Sequence, residues 1–160
     1  MKKLLLLTLL ILGIGLSSNL VAQKYSSAIG LRFGYPNSVS YKMFLSEKAA
    51  VEAYGSFVFS SSFTTIGVNA AYLLHNDFAN AEGLSWYYGG GASVYLNSYK
   101  TGFAGDGGNI GFGVSGYLGL DYMFGNLPLN ITVDFVPTFV IGGGFIGRQG
   151  ALGIRYILGE

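Results

Sequence analysis

The chain has 160 residues, the length of one domain, with 51% hydrophobic and only 11% charged residues. A formal net charge of +1 with no basic run or acidic tail excludes nucleic acid as a partner, and the absence of cysteine excludes disulfides, a thiolate nucleophile and thiolate metal sites. The 26 glycines, 12 tyrosines and 12 phenylalanines beside 3 prolines favour short strands over packed helices.

The first segment, MKKLLLLTLLILGIGLSSNLVAQ, has two lysines, an apolar stretch from Leu4 to Leu16 and a small-residue site at Val21-Ala22-Gln23, the layout of a secretory signal peptide. Its apolar core is shorter than the roughly 20 residues a spanning helix needs. Cleavage is expected after Ala22, leaving 1–22 as signal peptide and 23–160 as a single domain. Loss of Lys2 and Lys3 turns 9 basic against 8 acidic residues into 7 against 8. No cysteine follows the cleavage site, which excludes a lipid-anchored form.

From Ser26 onward the hydrophobic period is two, the signature of strands with one apolar face. Ile29, Leu31, Phe33 and Tyr35 alternate with Ala28, Gly30, Arg32 and Gly34; Val39, Tyr41 and Met43 with Ser40 and Lys42; Val51, Ala53, Phe57 and Phe59 with Glu52, Tyr54 and Ser56. Further along, Ile66 to Leu74 oppose Thr65, Gly67 and Asn69, and Trp86, Tyr88, Ala92, Val94 and Leu96 oppose Ser85, Tyr87, Gly89, Gly91 and Ser93. Ile110 to Tyr122 alternate with glycine, serine, Tyr117 and Asp121; Leu129 to Phe135 with Asn130, Thr132 and Asp134; Leu152 to Leu158 with Gly153 and Arg155. About eight strands result, an even number that suits a closed antiparallel barrel.

The non-apolar face is mostly glycine, serine and tyrosine, with one charged residue on each of six strands. A water-facing surface gains nothing from such glycines, whereas the interior of an eight-stranded barrel is just wide enough to be filled by side chains. The apolar face then meets lipid and the polar face the lumen, as in an outer-membrane barrel. The expected lumen network is Arg32, Lys42 and Arg155 against Glu52, Asp121 and Asp134, balanced because an unpaired charge in a dry interior costs several kcal/mol. A turn centred on Glu47 sets Lys42 opposite Glu52, which predicts that these two are nearest counter-charges.

With both termini in the periplasm, Trp86, Tyr88, Tyr122 and Tyr156 form one interfacial aromatic girdle and Tyr35, Phe57, Phe59 and Phe139 the other. Pro36-Asn37-Ser38 and Ser60-Ser61-Ser62 read as short outer turns; Ser46-Glu47-Lys48 and Gly125-Asn126-Leu127-Pro128 read as inner ones, with HNDFANAEG (75–83) a longer inner loop. The two long outer loops, 97–109 and 137–150, offer Tyr99, Lys100, Phe103, Asp106, Phe145 and Arg148 as candidate contacts outside the cell.

The runs GLRFGYPNSVSYKMFLSEKAAVEAYGSF, LSWYYGGGASVYL and GYLGLDYMFGNLPLNITVDFVPTF, followed by LGIRYIL, resemble the small outer-membrane β-barrel proteins of the OmpA/OmpX kind, within the porin-like superfamily. The resemblance extends over residues 26 to 158 and implies an all-β, closed antiparallel transmembrane barrel of eight strands in a Gram-negative outer membrane, inserted by the barrel-assembly machinery. The chain departs from that family in ending Leu158-Gly159-Glu160 instead of on an aromatic residue, and it is expected to lack the peptidoglycan-binding domain of larger relatives.

Signals for catalysis are sparse. GFGVSG (111–116) fits a dinucleotide-binding glycine pattern but lies in an alternating strand with no helix after it. His75, the single histidine, falls at an expected periplasmic turn as an exposed residue, so the outer leaflet lacks the histidine that a lipid-modifying serine hydrolase would need. Acidic residues are dispersed over separate strands, and neither a metal nor a cofactor is expected. The reading is a non-enzymatic outer-membrane barrel in contact with lipid, with a structural or surface-interaction role in adhesion or envelope integrity. The alternatives are a narrow porin-like channel and a secreted soluble barrel binding an apolar ligand.

Overall fold

The computed structural model describes residues 25–99 and 109–159; residues 1–24, which include the expected signal peptide, 100–108 and 160 lie outside the described residues. Ten strands follow in order: β1 (Ser27–Tyr35), β2 (Asn37–Phe44), β3 (Ala49–Phe59), β4 (Phe63–Asp77), β5 (Leu84–Tyr99), β6 (Asn109–Met123), β7 (Leu129–Phe135), β8 (Thr138–Val140), β9 (Gly144–Ile146) and β10 (Gly150–Gly159). All pairings are antiparallel, consecutive strands from β1 to β7 are neighbours, and β10 pairs with both β7 and β1 to close the ring.

The ring has eight walls because β7 and β8 are two pieces of one. Leu118 pairs with Phe135 and Gly113 with Val140, a single unbroken register along β6. The interruption falls at Val136 and Pro137, where proline has no N–H to give to a ladder. β9 and β10 are likewise two pieces of the next wall: β9 pairs with β8 and β10 with β7, the register shifts by one residue between them, and Val136 N donates to Gln149 O at 2.8 Å across the gap. The segment 137–150, expected as a loop, therefore carries a hairpin, made feasible by Gly142 and Gly144 at φ of 77° and 94°. The inner loop expected at 75–83 is also shorter than that: β4 runs on to Asp77, which pairs with Ser85, leaving only 78–83 as connection.

Register sets the width of the barrel. Cross-strand partners followed around the ring from Leu129 run Tyr156, Ile29, Tyr41, Ala53, Ala70, Ala92 and Val114, then return to the starting wall at Phe139, ten residues beyond Leu129. An offset of that size tilts eight strands by about 40° and leaves an interior that side chains fill. Outward positions are apolar and exposed, among them Val68 at 69%, Leu118 at 56% and Ile110 at 62%. A belt of this extent is stable only against hydrocarbon, since soluble proteins rarely show water contiguous apolar patches of more than a few hundred Å².

Inward positions alternate bulk with emptiness. A Cβ at Gly119 would lie 2.5 Å from Cζ of Tyr87, and one at Gly153 would lie 3.1 Å from Nη1 of Arg155. Each glycine thus clears the space into which a neighbouring long side chain extends. Tyr25, Ala28, Phe44, Ala50 and Ile157 form an apolar layer at the end that holds the termini, while Tyr54, Ala71, Leu73, Tyr87, Tyr117 and Val136 form a second cluster.

A closed ring leaves no free edge among its eight walls, so unfolding must break the whole hydrogen-bonded circuit. Unheated protein in mild detergent should migrate differently from boiled protein on gels. Identical migration across several detergents would contradict closure.

Candidate functional site

The inward parity of the strands brings six charged side chains together, all at least nine-tenths buried: Arg32 on β1, Lys42 on β2, Glu52 on β3, Asp121 on β6, Asp134 on β7 and Arg155 on β10. They form two groups. In the first, Nη2 of Arg32 donates to both oxygens of Asp134 at 2.9 and 2.7 Å, and Nη1 donates to Oε1 of Glu52 at 3.4 Å. The same Glu52 oxygen accepts a short hydrogen bond from Nη2 of Arg155. Arg155 also donates from Nε to Oγ of Ser40 at 3.0 Å and from Nη1 to Oγ1 of Thr132 at 2.8 Å. The hydroxyl of Tyr87 donates to Asp134 at 2.9 Å, and the Arg32 guanidinium lies 4.3 Å from the centre of the Tyr54 ring.

In the second group, Nζ of Lys42 donates to Oδ2 of Asp121 at 2.7 Å and is hydrogen-bonded with Nε2 of His75 at 2.8 Å. Nε2 of His75 also lies 3.6 Å from Oδ2 of Asp121, so lysine, histidine and aspartate form one cluster. Three positive and three negative side chains then balance. Asn130 joins the groups, accepting from Nη1 of Arg155 at 3.4 Å and donating to Oδ1 of Asp121. Charges taken out of water are tolerated when each meets a counter-charge and further hydrogen bonds.

Two expectations need correction. Lys42 and Glu52 are indeed direct cross-strand partners, but they are not each other's counter-charge: Lys42 reaches Asp121, and Glu52 takes two guanidinium groups. In so narrow a lumen, long side chains meet the opposite wall as easily as the adjacent strand. His75 is not an exposed turn residue; it is 2% exposed, on β4, with its ring 5.0 Å from that of Tyr87. Its parity with Asn69, Ala71 and Leu73 carries it inward, and that alternation was present in the sequence.

The proposed girdle residues Tyr35, Phe59, Trp86, Tyr88, Tyr122, Phe139 and Tyr156 are exposed on the outward face, while Phe57 is half-buried, its ring 6.0 Å from that of Phe59. Trp86 stacks on Tyr88 at 5.7 Å. Of the candidate outer contacts, Phe145 lies on β9 and Arg148 is exposed beyond it; Tyr99 ends β5, and Lys100, Phe103 and Asp106 lie outside the described residues. At the outer end a cavity of about 470 Å³ is lined by Tyr35, Val58, Tyr95, Asn97, Ile141 and Gln149 among others. Its floor narrows to a void of about 10 Å³ that reaches Arg32. Among the described residues, no group of three or more histidine, aspartate or glutamate side chains is placed to hold a metal ion.

No protein-family model matches the chain, and no curated protein sequence does. Among solved structures, the N-terminal β-barrel domain of Pseudomonas aeruginosa OprF is similar with a TM-score of 0.65 at 14% identity, over 81% of this chain and 93% of that one. Neisserial surface protein A, NspA, is similar with a TM-score of 0.57 at 13% identity, over 82% of this chain and 93% of that one. These likenesses show the fold, the closed antiparallel barrel of eight walls that the resemblance to OmpA-like proteins implies.

Removing one partner of a buried ion pair typically costs about 3–5 kcal/mol, because the other charge is left uncompensated. Glu52→Gln should destabilise the barrel on that scale in urea unfolding from lipid vesicles. A double-mutant cycle should give stronger coupling between Glu52 and Arg155, which are hydrogen-bonded, than between the cross-strand neighbours Lys42 and Glu52, which are not. The reverse pattern would mean that the carboxylate is shared differently.

Proposed function

We propose that this protein is an integral barrel of a Gram-negative outer membrane, without enzymatic activity, whose role is structural or surface-interacting. The observation that carries this reading is the inversion of the barrel's two faces: apolar belt outside, neutral and hydrogen-bonded charge network inside. A soluble carrier of apolar ligands would need the opposite arrangement, with a greasy cavity within. A conducting pore would need a continuous wet path, whereas here the Arg32–Glu52–Arg155 cluster crosses the lumen and the layer of Tyr25 and Phe44 lies beneath. The similarity in fold to the OprF barrel domain and to NspA, a neisserial surface protein by its name, supports an envelope location. With the interior occupied, what remains for interaction is the outer surface, where the connections that follow β5 and β8 are candidates.

Reconstituted in planar bilayers, the protein should give no resolvable single-channel steps, and membranes should retain it through carbonate extraction. A deletion strain should show increased detergent sensitivity or reduced surface binding. Steady conductance steps would replace this reading with that of a narrow pore, and release by carbonate would remove the membrane location.

A further inference from the structure

A one-residue register shift decides which side chain the last wall turns into the outer cavity. Thr138 pairs with Ile146, yet Val136, two residues before Thr138, donates its N–H to the carbonyl of Gln149, three residues after Ile146. The extra residue makes a bulge, and a bulge re-aims the side chains beside it. An unshifted strand would set Arg148 opposite Val136, a buried position inside the barrel. With the shift, Arg148 is exposed and Gln149 takes the inward place, 9% exposed. The wall thus offers the lumen a neutral amide and sends the adjacent cation outward.

Gln149 lines both the cavity of about 470 Å³ and the small void beneath it. Its Oε1 accepts from Oγ1 of Thr138 at 2.8 Å, and the Thr138 hydroxyl is also bonded to that of Ser115 at 2.8 Å. Nε2 of Gln149 has no partner among the described residues. A second hydrogen-bonded row crosses the cavity's opposite side: Oγ1 of Thr65 donates to Oδ1 of Asn97 at 2.7 Å, and Nδ2 of Asn97 donates to Oδ1 of Asn109 at 2.9 Å. That row ends on Nδ2 of Asn109, again without a partner among the described residues. Tyr95 also lines cavity and void. The edges of its ring fill the spaces that Gly67 and Gly113 leave, where a Cβ would come within 2.9 and 3.0 Å of it.

This lining selects a chemistry. None of the described residues around the cavity is charged, and Arg32 under its floor is already bonded to Asp134 and Glu52, so an ionic ligand meets no counter-charge. A hydrocarbon ligand would leave the amide of Gln149 dry and unpaired, which costs the desolvation of a polar group. A neutral molecule covered with hydroxyls satisfies both free amides, since each hydroxyl can accept as well as donate, and its C–H faces suit the Tyr95 ring. The volume lies within the roughly 300–1,000 Å³ of small-molecule sites.

We propose that the outer cavity is a binding site for a neutral saccharide, with Gln149 and Asn109 donating to its oxygens and the Tyr95 ring against its C–H face. The proposal rests on the reading of the protein as an outer-membrane barrel that interacts at its outer end, and it names the ligand class of that role.

Folded protein in an amine-oxide detergent, whose headgroup carries no sugar, is titrated with a panel of neutral hexoses, pentoses and disaccharides, and separately with triglycine and with inorganic phosphate. Amide NMR spectra show the side-chain NH2 groups of Gln149 and Asn109 directly. Saturable shifts of both are expected with at least one sugar and not with phosphate. Absence of saturable shifts across the sugar panel overturns the proposal, and so does saturation by triglycine or phosphate alone. Gln149→Ala should weaken sugar binding about tenfold, the loss of roughly one hydrogen bond's worth of affinity. Tyr95→Ala should weaken it as well, whereas Arg148→Ala, next in sequence to Gln149 but outside the lumen, should leave it unchanged. Unaltered affinity in Gln149→Ala overturns the proposal; heat-shifted migration on gels verifies folding of each variant. The sugar that binds is then offered free and coupled through its reducing end to albumin: binding of both forms assigns the site to the end of a glycan chain, and binding of the free form alone assigns it to a soluble sugar. Release of the protein from membranes by carbonate with sugar binding intact would overturn the membrane reading alone, and membrane retention without sugar binding would overturn this proposal alone.

Discussion

The carboxylate of Glu52, held between the guanidinium groups of Arg32 and Arg155, is the interaction on which the rest of the interior depends. Two arginines in a lumen this narrow would otherwise face each other without water, at a cost no amount of outward hydrophobic contact could offset locally. Around that carboxylate the other groups fall into place. Asp134 takes the second side of Arg32, Thr132 and Ser40 take the remaining donors of Arg155, and Asn130 carries the connection to Asp121 and Lys42. Glycines such as Gly119 and Gly153 follow from the same constraint, because long polar side chains fit only where their neighbours have none.

Neutrality inside and hydrocarbon contact outside leave the barrel wall with little chemistry of its own. Every ionised group in the network is already committed to a partner on another wall, so substrate recognition there would first have to break a buried ion pair. The ends of the barrel are different. The outer cavity beside Tyr95, Asn97 and Gln149 is open above and closed below by Arg32, and the connections around it are free to vary without disturbing the network. A rigid support with variable rims is the division of labour that the geometry favours.

Much of this was legible in the sequence, because a period of two states both the strand and the face of each residue. Alternation from Ile29 to Leu158 placed all six network charges on one side, and the outward aromatic residues on the other. The partners of each charge were not legible. Register gives which residues are adjacent along the sheet, as Lys42 and Glu52 are, but in a barrel the side chains converge on an axis and choose among all the walls. His75 reads as a turn residue for a related reason: Asn76 and Asp77 are turn-prone, although the alternation continues through them. The hairpin in 137–150 is not legible because two strands of three residues around three glycines carry too little periodicity.

Arg32 belongs to the first wall and Arg155 to the last, and these two strands pair with each other at the seam where the two ends of the chain meet. Glu52 sits two strands away from that seam, on β3, yet it grips a side chain from each of its sides. Before the ring closes, the carboxylate has only the arginine of its own half, and the arginine of the last strand arrives with the seam itself. The ion cluster therefore acts as a latch: its full stabilisation appears only when the last wall docks on the first. A partly zipped sheet holds only the Arg32 half of it, so the cluster favours the closed ring over an open-edged sheet.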